Sequence, residues 1–222
     1  MLPSILAAEG GHAVASSPLT VAILLPFVGA LAVALVPNAR TELHRGVALL
    51  FSAAAGALTV WLLAAFETKE GGFQFEVDET WISDFGISWH LGIDGISLFL
   101  VVLTGLLFPL AIVAVTPHHD PKPYYAWLLV LQGGSLGVFM ALDLFVFFVF
   151  FEIVLVPMYF LIGGWGYGER IYAALKFFIF TMVGSAFMLV GIVALAFLHR
   201  DAVAEENQGR VAEVQAAAEA EI

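Results

Sequence analysis

Three side chains in an otherwise apolar sequence are of types that carry or hold protons. Glu152 lies at the centre of the run Leu144-Phe145-Val146-Phe147-Phe148-Val149-Phe150-Phe151-Glu152-Ile153-Val154-Leu155-Val156-Pro157-Met158-Tyr159-Phe160-Leu161-Ile162. An ionisable carboxyl at mid-span is costly and is kept where it faces a protein interior or a water path and handles charge. Its chemistry is proton carriage: burial disfavours the charged form and a nearby cation favours it. The other reading is a structural acid, neutral and hydrogen-bonded between helices. Lys176 is the only Lys or Arg well inside an apolar span. It lies about one turn from the inner end of its span, ~6 Å deep, whereas Glu152 lies ~16 Å deep in the preceding one. A direct pair is strained unless Lys176 extends inward; otherwise Lys176 snorkels to the surface. Asp143 stands just before the Glu152 span, where it can cap the helix by accepting its free amide hydrogens. A role at the proton exit is the second reading of Asp143.

Other candidates carry less chemistry. Pro157 cannot donate a backbone hydrogen bond and clashes with the carbonyl of Ile153, so a local kink would free an acceptor beside Glu152. Prolines are also simply tolerated in membrane helices. Gly133-Gly134-Ser135-Leu136-Gly137 has the small-residue spacing that lets helices approach closely. His118-His119 beside Asp120 offers metal-ligand types, but a solvated loop is the expected reading. No His is placed deep in a span, which argues against a transmembrane bis-His haem. There is no glycine-rich phosphate loop.

Composition says what solvent these residues meet. Of 222 residues 61% are hydrophobic and 12% charged, about half the charge of a soluble domain. The mean hydropathy is +0.98. A net charge of −11 argues against nucleic acid as a partner. With no Cys, the chain offers no disulfide, thiolate metal site or iron–sulfur cluster.

Six runs are long enough to cross a bilayer as helices: Pro18–Val36, Gly46–Phe66, Ile96–Thr116, Tyr124–Ala141, Leu144–Gly163 and Tyr172–Leu198. Only Ala141-Leu142-Asp143 separates the fourth and fifth, which must therefore be antiparallel. The expected organisation is an outer N-terminal segment over 1–17, two transmembrane helices in 18–66, an acidic outer loop over 67–95, four more helices in 96–198 and a polar tail over 199–222. The first segment has no basic residue and does not look like a cleavable signal peptide. Arg40, Arg45, Lys122, Arg170 and Lys176 fall on one side, and Lys69, Arg200 and Arg210 on the other, with much longer segments. Basic short loops stay inside, so the N-terminus is expected outside. In the acidic loop Phe73-Gln74-Phe75-Glu76-Val77 alternates as a strand does. Gly86–Gly92 can pair with it as a hairpin, and Trp81 and Trp89 suit the lipid–water interface. The tail, rich in Ala and Glu, reads as a solvated helix or as disordered.

Three motifs in order carry a family resemblance. Phe151-Glu152-Ile153-Val154-Leu155-Val156-Pro157-Met158-Tyr159-Phe160-Leu161-Ile162 with Trp165-Gly166 resembles the fifth helix of the chain M family of bacterial respiratory NADH–quinone oxidoreductase, the subunit 4 family of mitochondrial complex I. Leu91-Gly92-Ile93-Asp94-Gly95-Ile96-Ser97 and Ala174-Leu175-Lys176-Phe177-Phe178-Ile179 resemble its flanking stretches. The likeness runs from about Trp81 to Phe197. It implies an all-α integral membrane protein with six transmembrane helices and a short outer β-hairpin. That would be the N-terminal part of an antiporter-like, inverted-repeat fold. It implies proton translocation in a bacterial inner (plasma) membrane, coupled to quinone reduction in other subunits of the oxidoreductase. NADH, FMN, iron–sulfur clusters and quinone would belong to those partner subunits, with no cofactor or metal in this chain. In the family the glutamate matching Glu152 pairs with a lysine of the seventh helix. That lysine and the second repeat have no counterpart in these residues, so the chain is expected to be an N-terminal piece with an incomplete proton path. Two other readings stand: a subunit of a multi-chain cation/proton antiporter, and a structural membrane piece without transport.

Overall fold

The computed structural model describes the backbone of residues 17–38, 41–68, 71–82 and 87–220, and the side chains of these up to 198 with residue 41 excepted. Residues 1–16, Arg40, Lys69, Glu70, Asp84 and Gly86, and the side chains of Arg200, Arg210 and the rest of the polar tail, lie outside the described residues. Among the described residues six helices and one hairpin follow in order: α1 Pro18–Leu35, α2 Thr41–Ala65, β1 Gln74–Ile82, β2 Ile87–Ile93, α3 Gly95–Ala114, α4 Pro121–Met140, α5 Leu144–Trp165 and α6 Arg170–Ala220.

Among the described residues five helices are long and apolar enough to cross a membrane: α1, α2 from Glu42, α3, α5 and α6 as far as Leu198. The protein is multi-pass. The fourth expected span forms α4, but α4 is not among those five. Lys122, two tyrosines, Gln132 and three glycines dilute its apolar content. It is instead the best-embedded helix, packing against α1, α2, α3 and α5.

Local chemistry sets the helix ends. Asp94 and Ser97 form a capping box: the Asp94 carboxylate accepts from Ser97 N at 2.7 Å, and Ser97 Oγ accepts from Asp94 N at 2.9 Å. The Ser97 amide, followed by the Ser97 hydroxyl, stabilises the carboxylate and holds Asp94 below the usual carboxylate range. Helix α2 begins at Thr41, five residues before the expected Gly46. Arg45, read from sequence as a loop charge, is therefore helical. Its guanidinium donates to the carbonyls of Ile112 and Val113, which have no partner within the helix at the end of α3. His44 likewise lies in the first turns of α2 and is buried, within 3.5 Å of the Val36 carbonyl.

Residues Met1–Met182 and Val183–Ile222 form two compact units. In the first, one core cluster gathers Leu19, Leu62, Leu91, Ile93, Met140 and Phe150 at the hairpin end of the bundle. A second gathers Val33, Ala48, Ile112, Tyr125 and Leu129 at the opposite end. Glycines bring helices into direct contact. A Cβ on Gly56 would strike the Gly105 carbonyl oxygen, and one on Gly133 would come within 2.7 Å of Phe27. The second unit has a helical backbone as far as Ala220 and carries exposed Phe187, Val190 and Leu195.

The hairpin is longer than the expected 73–77 and 86–92. Strands β1 and β2 pair antiparallel with Val77 opposite Leu91 and Thr80 opposite Ser88. Phe75 has φ 56° beside a register shift between Gln74 and Val77, the mark of a bulge. Trp81 is exposed. Trp89 is half-buried: its ring meets Phe150 edge-on at 5.7 Å and its Nε1 donates to Thr20 Oγ1 at 3.2 Å.

Candidate functional site

The site is built on α5, and α5 is fixed at its start. Asp143 accepts from Phe145 N at 2.7 Å and Val146 N at 3.1 Å through Oδ1. This is the cap expected from the sequence. The same carboxylate accepts from Ser88 N of β2 through Oδ2 at 3.3 Å. Next to it Leu142 N donates to the His90 carbonyl at 2.9 Å, and Leu91 bridges Ala141. The three-residue turn between α4 and α5 is thus paired with the hairpin.

Two to three turns further on, α5 packs against the glycines of α4. Phe150 lies where a Gly137 Cβ would stand, and Val154 Cγ2 would lie 2.8 Å from a Gly134 Cβ. These pairs put Glu152 level with Ser135 and Leu136 on α4. The helix runs unbroken through Pro157, which is buried. Glu152 itself is half-buried, and its Oε1 is fully shielded with no hydrogen-bond partner among the described residues. An unpaired buried polar group costs about 1–3 kcal/mol, so a purely structural carboxyl would be expected to be better partnered on this side.

Lys176 is not brought to Glu152. Gly163 of α5 faces Ala174 of α6, and Tyr159 faces Phe178 with ring centroids 5.3 Å apart. That antiparallel register puts Lys176 level with Leu161, nine residues from Glu152, or ~13 Å along the helix. A four-carbon stem does not span this. Lys176 is exposed, and its Nζ lies 5.8 Å from the Tyr172 ring, towards the start of α6. Among the described residues no Lys or Arg forms an ion pair with a carboxylate; the carboxylates that meet a ring nitrogen are Glu76 with His90 at 2.6 Å and Asp120 with His119 at 3.6 Å.

His118 and His119 are exposed in the loop between α3 and α4, as expected, and both have partners. His119 stacks on Trp165 at 5.6 Å, and its carbonyl accepts from Trp165 Nε1 at 2.7 Å. His118 contacts Tyr167 by ring and by a 3.1 Å hydrogen bond. The two loops at this end of the bundle are therefore tied together. Among the described residues no three His, Asp or Glu are placed to hold a metal ion.

Sequence reading passed over Gln132. It is fully buried in α4, and its Nε2 donates to the Ser52 carbonyl of α2 at 3.3 Å, while its Oε1 and Ser52 Oγ have no partner among the described residues. The signal was available: a lone amide in a membrane-length run deserves the same reading as a lone carboxyl.

Comparison with known proteins agrees with the geometry. Residues 141–204 match a family model described as NADH:quinone oxidoreductase/Mrp antiporter, TM. NADH-quinone oxidoreductase subunit M of Escherichia coli K12 is 41% identical over 193 residues, covering 81% of this chain and 38% of that protein. NADH-ubiquinone oxidoreductase chain 4 of Marchantia polymorpha is 38% identical over 178 residues, covering 79% of this chain and 36% of its own length. The chain therefore spans little more than a third of these curated relatives. Among solved structures, respiratory complex I from Thermus thermophilus with bound NADH contains a chain of TM-score 0.65 and 28% identity. The match covers 78% of this chain and 34% of that one. A chain of an archaeal membrane-bound sulfane sulfur reductase shares the fold, with a TM-score of 0.64 at 22% identity. By sequence and by fold, the chain matches the N-terminal part of the antiporter-like subunit M and chain 4 proteins of the NADH-quinone oxidoreductases.

Proposed function

We propose that this chain serves as the N-terminal part of a proton-translocating membrane subunit of NADH–quinone oxidoreductase, with Glu152 as its proton-carrying group. The observation that carries this reading is the shielded, unpartnered Oε1 of Glu152 at the centre of α5. A carboxyl in that setting takes up a proton when no cation is near and gives it up when a positive charge approaches. The register of α5 against α6 leaves Lys176 out of that exchange. The answering cation comes instead from outside residues 17–198, and proton movement needs that further segment or subunit. Asp143 acts on the helix rather than on the proton.

On this reading six helices cross the bacterial inner (plasma) membrane, α4 being carried by its packing inside the bundle. The N-terminus and the hairpin lie outside. Electron transfer from NADH through FMN and iron–sulfur clusters to quinone belongs to partner subunits, and the chain holds no cofactor of its own. The family description also covers Mrp antiporters, which keeps a multi-chain cation/proton antiporter as the second reading.

The test is Glu152→Gln in the complete oxidoreductase, with NADH oxidation and proton pumping measured together. Pumping per NADH oxidised should fall about tenfold or more while the complex assembles. Glu152→Asp, which keeps the carboxyl, should retain part of it. Normal pumping by Glu152→Gln would sink the reading. Pumping of Na⁺ or another cation instead of protons would favour the antiporter.

A further inference from the structure

Strand β2 reaches the helix that carries Glu152 at three points. Ser88 N donates to Asp143 Oδ2, the His90 carbonyl accepts from Leu142 N, and the Trp89 ring meets Phe150 two residues before Glu152. Trp89 is in turn tied to Thr20 of α1. At Asp143 the two carboxylate oxygens divide the work. Oδ1 holds the first turn of α5 and Oδ2 holds the strand. A rigid helix transmits any slip or rotation at its first turn to residues further along it, and Glu152 is nine residues away, ~13 Å. We propose that Asp143 is a positioning residue for proton transfer: by clamping β2 to the start of α5 it fixes the depth and facing of the Glu152 carboxyl. This rests on the reading of Glu152 as the proton carrier.

Chemistry allows the clamp to be cut without losing the cap. Asparagine is as good an N-cap as aspartate, so Asp143→Asn keeps an oxygen for Phe145 N and Val146 N. Its second group is an NH₂, which donates and cannot accept from Ser88 N. Ser88→Pro cuts the same bond from the other side by removing the donor. Both variants are made in the complete oxidoreductase. Pumping per NADH oxidised is read, together with the infrared band of the Glu152 carboxyl, assigned by its loss in Glu152→Gln.

Both variants should assemble, lose about threefold or more in pumping per NADH, and shift the Glu152 band. If only Ser88→Pro assembles, that one decides. Wild-type pumping and an unshifted band would overturn the proposal. So would an effect in Asp143→Asn that Ser88→Pro does not reproduce, because it would trace to lost charge. Failure of both to assemble would make the contact a folding requirement and overturn it equally. Normal pumping by Glu152→Gln would instead remove the reading beneath it.

Discussion

Helices α1 and α6 have similar apolar character and opposite settings. Of the α1 window 44% is buried by the rest of the chain, and of the α6 window 6%. Along α1 the buried residues recur on one face, from Leu19 through Ile23 and Pro26 to Ala30 and Val33. Along α6 large apolar side chains such as Ile171, Leu175, Ile179 and Phe180 stay exposed. Hydropathy alone therefore separates lipid from water but does not separate helix–helix faces from open ones. Small residues within the helices do that: a Cβ on Gly29, Gly56, Gly105, Gly133, Gly134 or Gly137 of α1 to α4 would meet neighbouring atoms, whereas Gly184 and Gly191 in α6 have no described atom within 4 Å of that position. Between helices in lipid, where apolar surface is not a driving force, close packing supplies much of the attraction. The packed region should consequently be the stability core, and the same substitution should have opposite effects in the two regions.

The largest effect is expected at Gly56. A Cβ there would strike the backbone carbonyl of Gly105, and Gly105 is itself pressed against Thr59. Backbone cannot swing aside as a side-chain end can. Gly56→Ala should cost about 1–3 kcal/mol, read by unfolding in mixed detergent–SDS micelles. A loss within experimental error would mean that α2 and α3 are not locked at this crossing. Gln132→Ala comes next, at roughly 1–2 kcal/mol, for the lost bond to the Ser52 carbonyl and the space left behind. Gln132→Leu, which fills the space, should recover part of that loss.

Much of this core is legible in the sequence, and the reason is locality. The Glu152 run, the Gly133–Gly137 spacing and the Asp143 cap each depend on residues within a turn or two of one another. The hairpin strands are legible by alternation. What the hairpin does is not, because the Ser88 bond to Asp143 joins residues 55 apart. Arg45 was miscast for the same reason: its partners lie 67 and 68 residues away at the end of α3. A charge beside a span reads as a loop charge until the carbonyls it satisfies are known. The relation of Lys176 to Glu152 needed the side-to-side register of α5 and α6, which depth counted from each helix end only approximates.

A smaller effect is expected at the mouth of α3. Removing the capping box by Asp94→Ala should cost about 1 kcal/mol. The sign of its pH dependence follows from the Asp94 carboxyl, held below its ordinary 3.8 in the folded protein chiefly by the Ser97 amide. A depressed carboxylate adds stability that is fully present above the unfolded value and is lost as pH falls through the folded one. The gap between wild type and Asp94→Ala should therefore be constant near neutrality and should narrow only below about pH 4. A gap that closes between pH 5 and 7 would assign the bond to some other group.

The smallest effect, and the sharpest test of the contrast, is Gly191→Ala on α6. Among the described residues nothing lies within 4 Å of a Cβ at Gly191, so the methyl group meets no described atom. Within a helix alanine is preferred to glycine by roughly 0.5–1 kcal/mol, because glycine loses more backbone freedom on ordering. The substitution that breaks the α2–α3 crossing at Gly56 should leave this protein's fold unchanged or slightly more stable at Gly191. Unfolding of the chain by itself and within the assembled oxidoreductase then separates two meanings of an open face. If Gly191→Ala is neutral in both, lipid covers that face. If it is neutral alone and destabilising in the assembly, another protein segment packs there closely enough to need the glycine, as Gly105 needs Gly56.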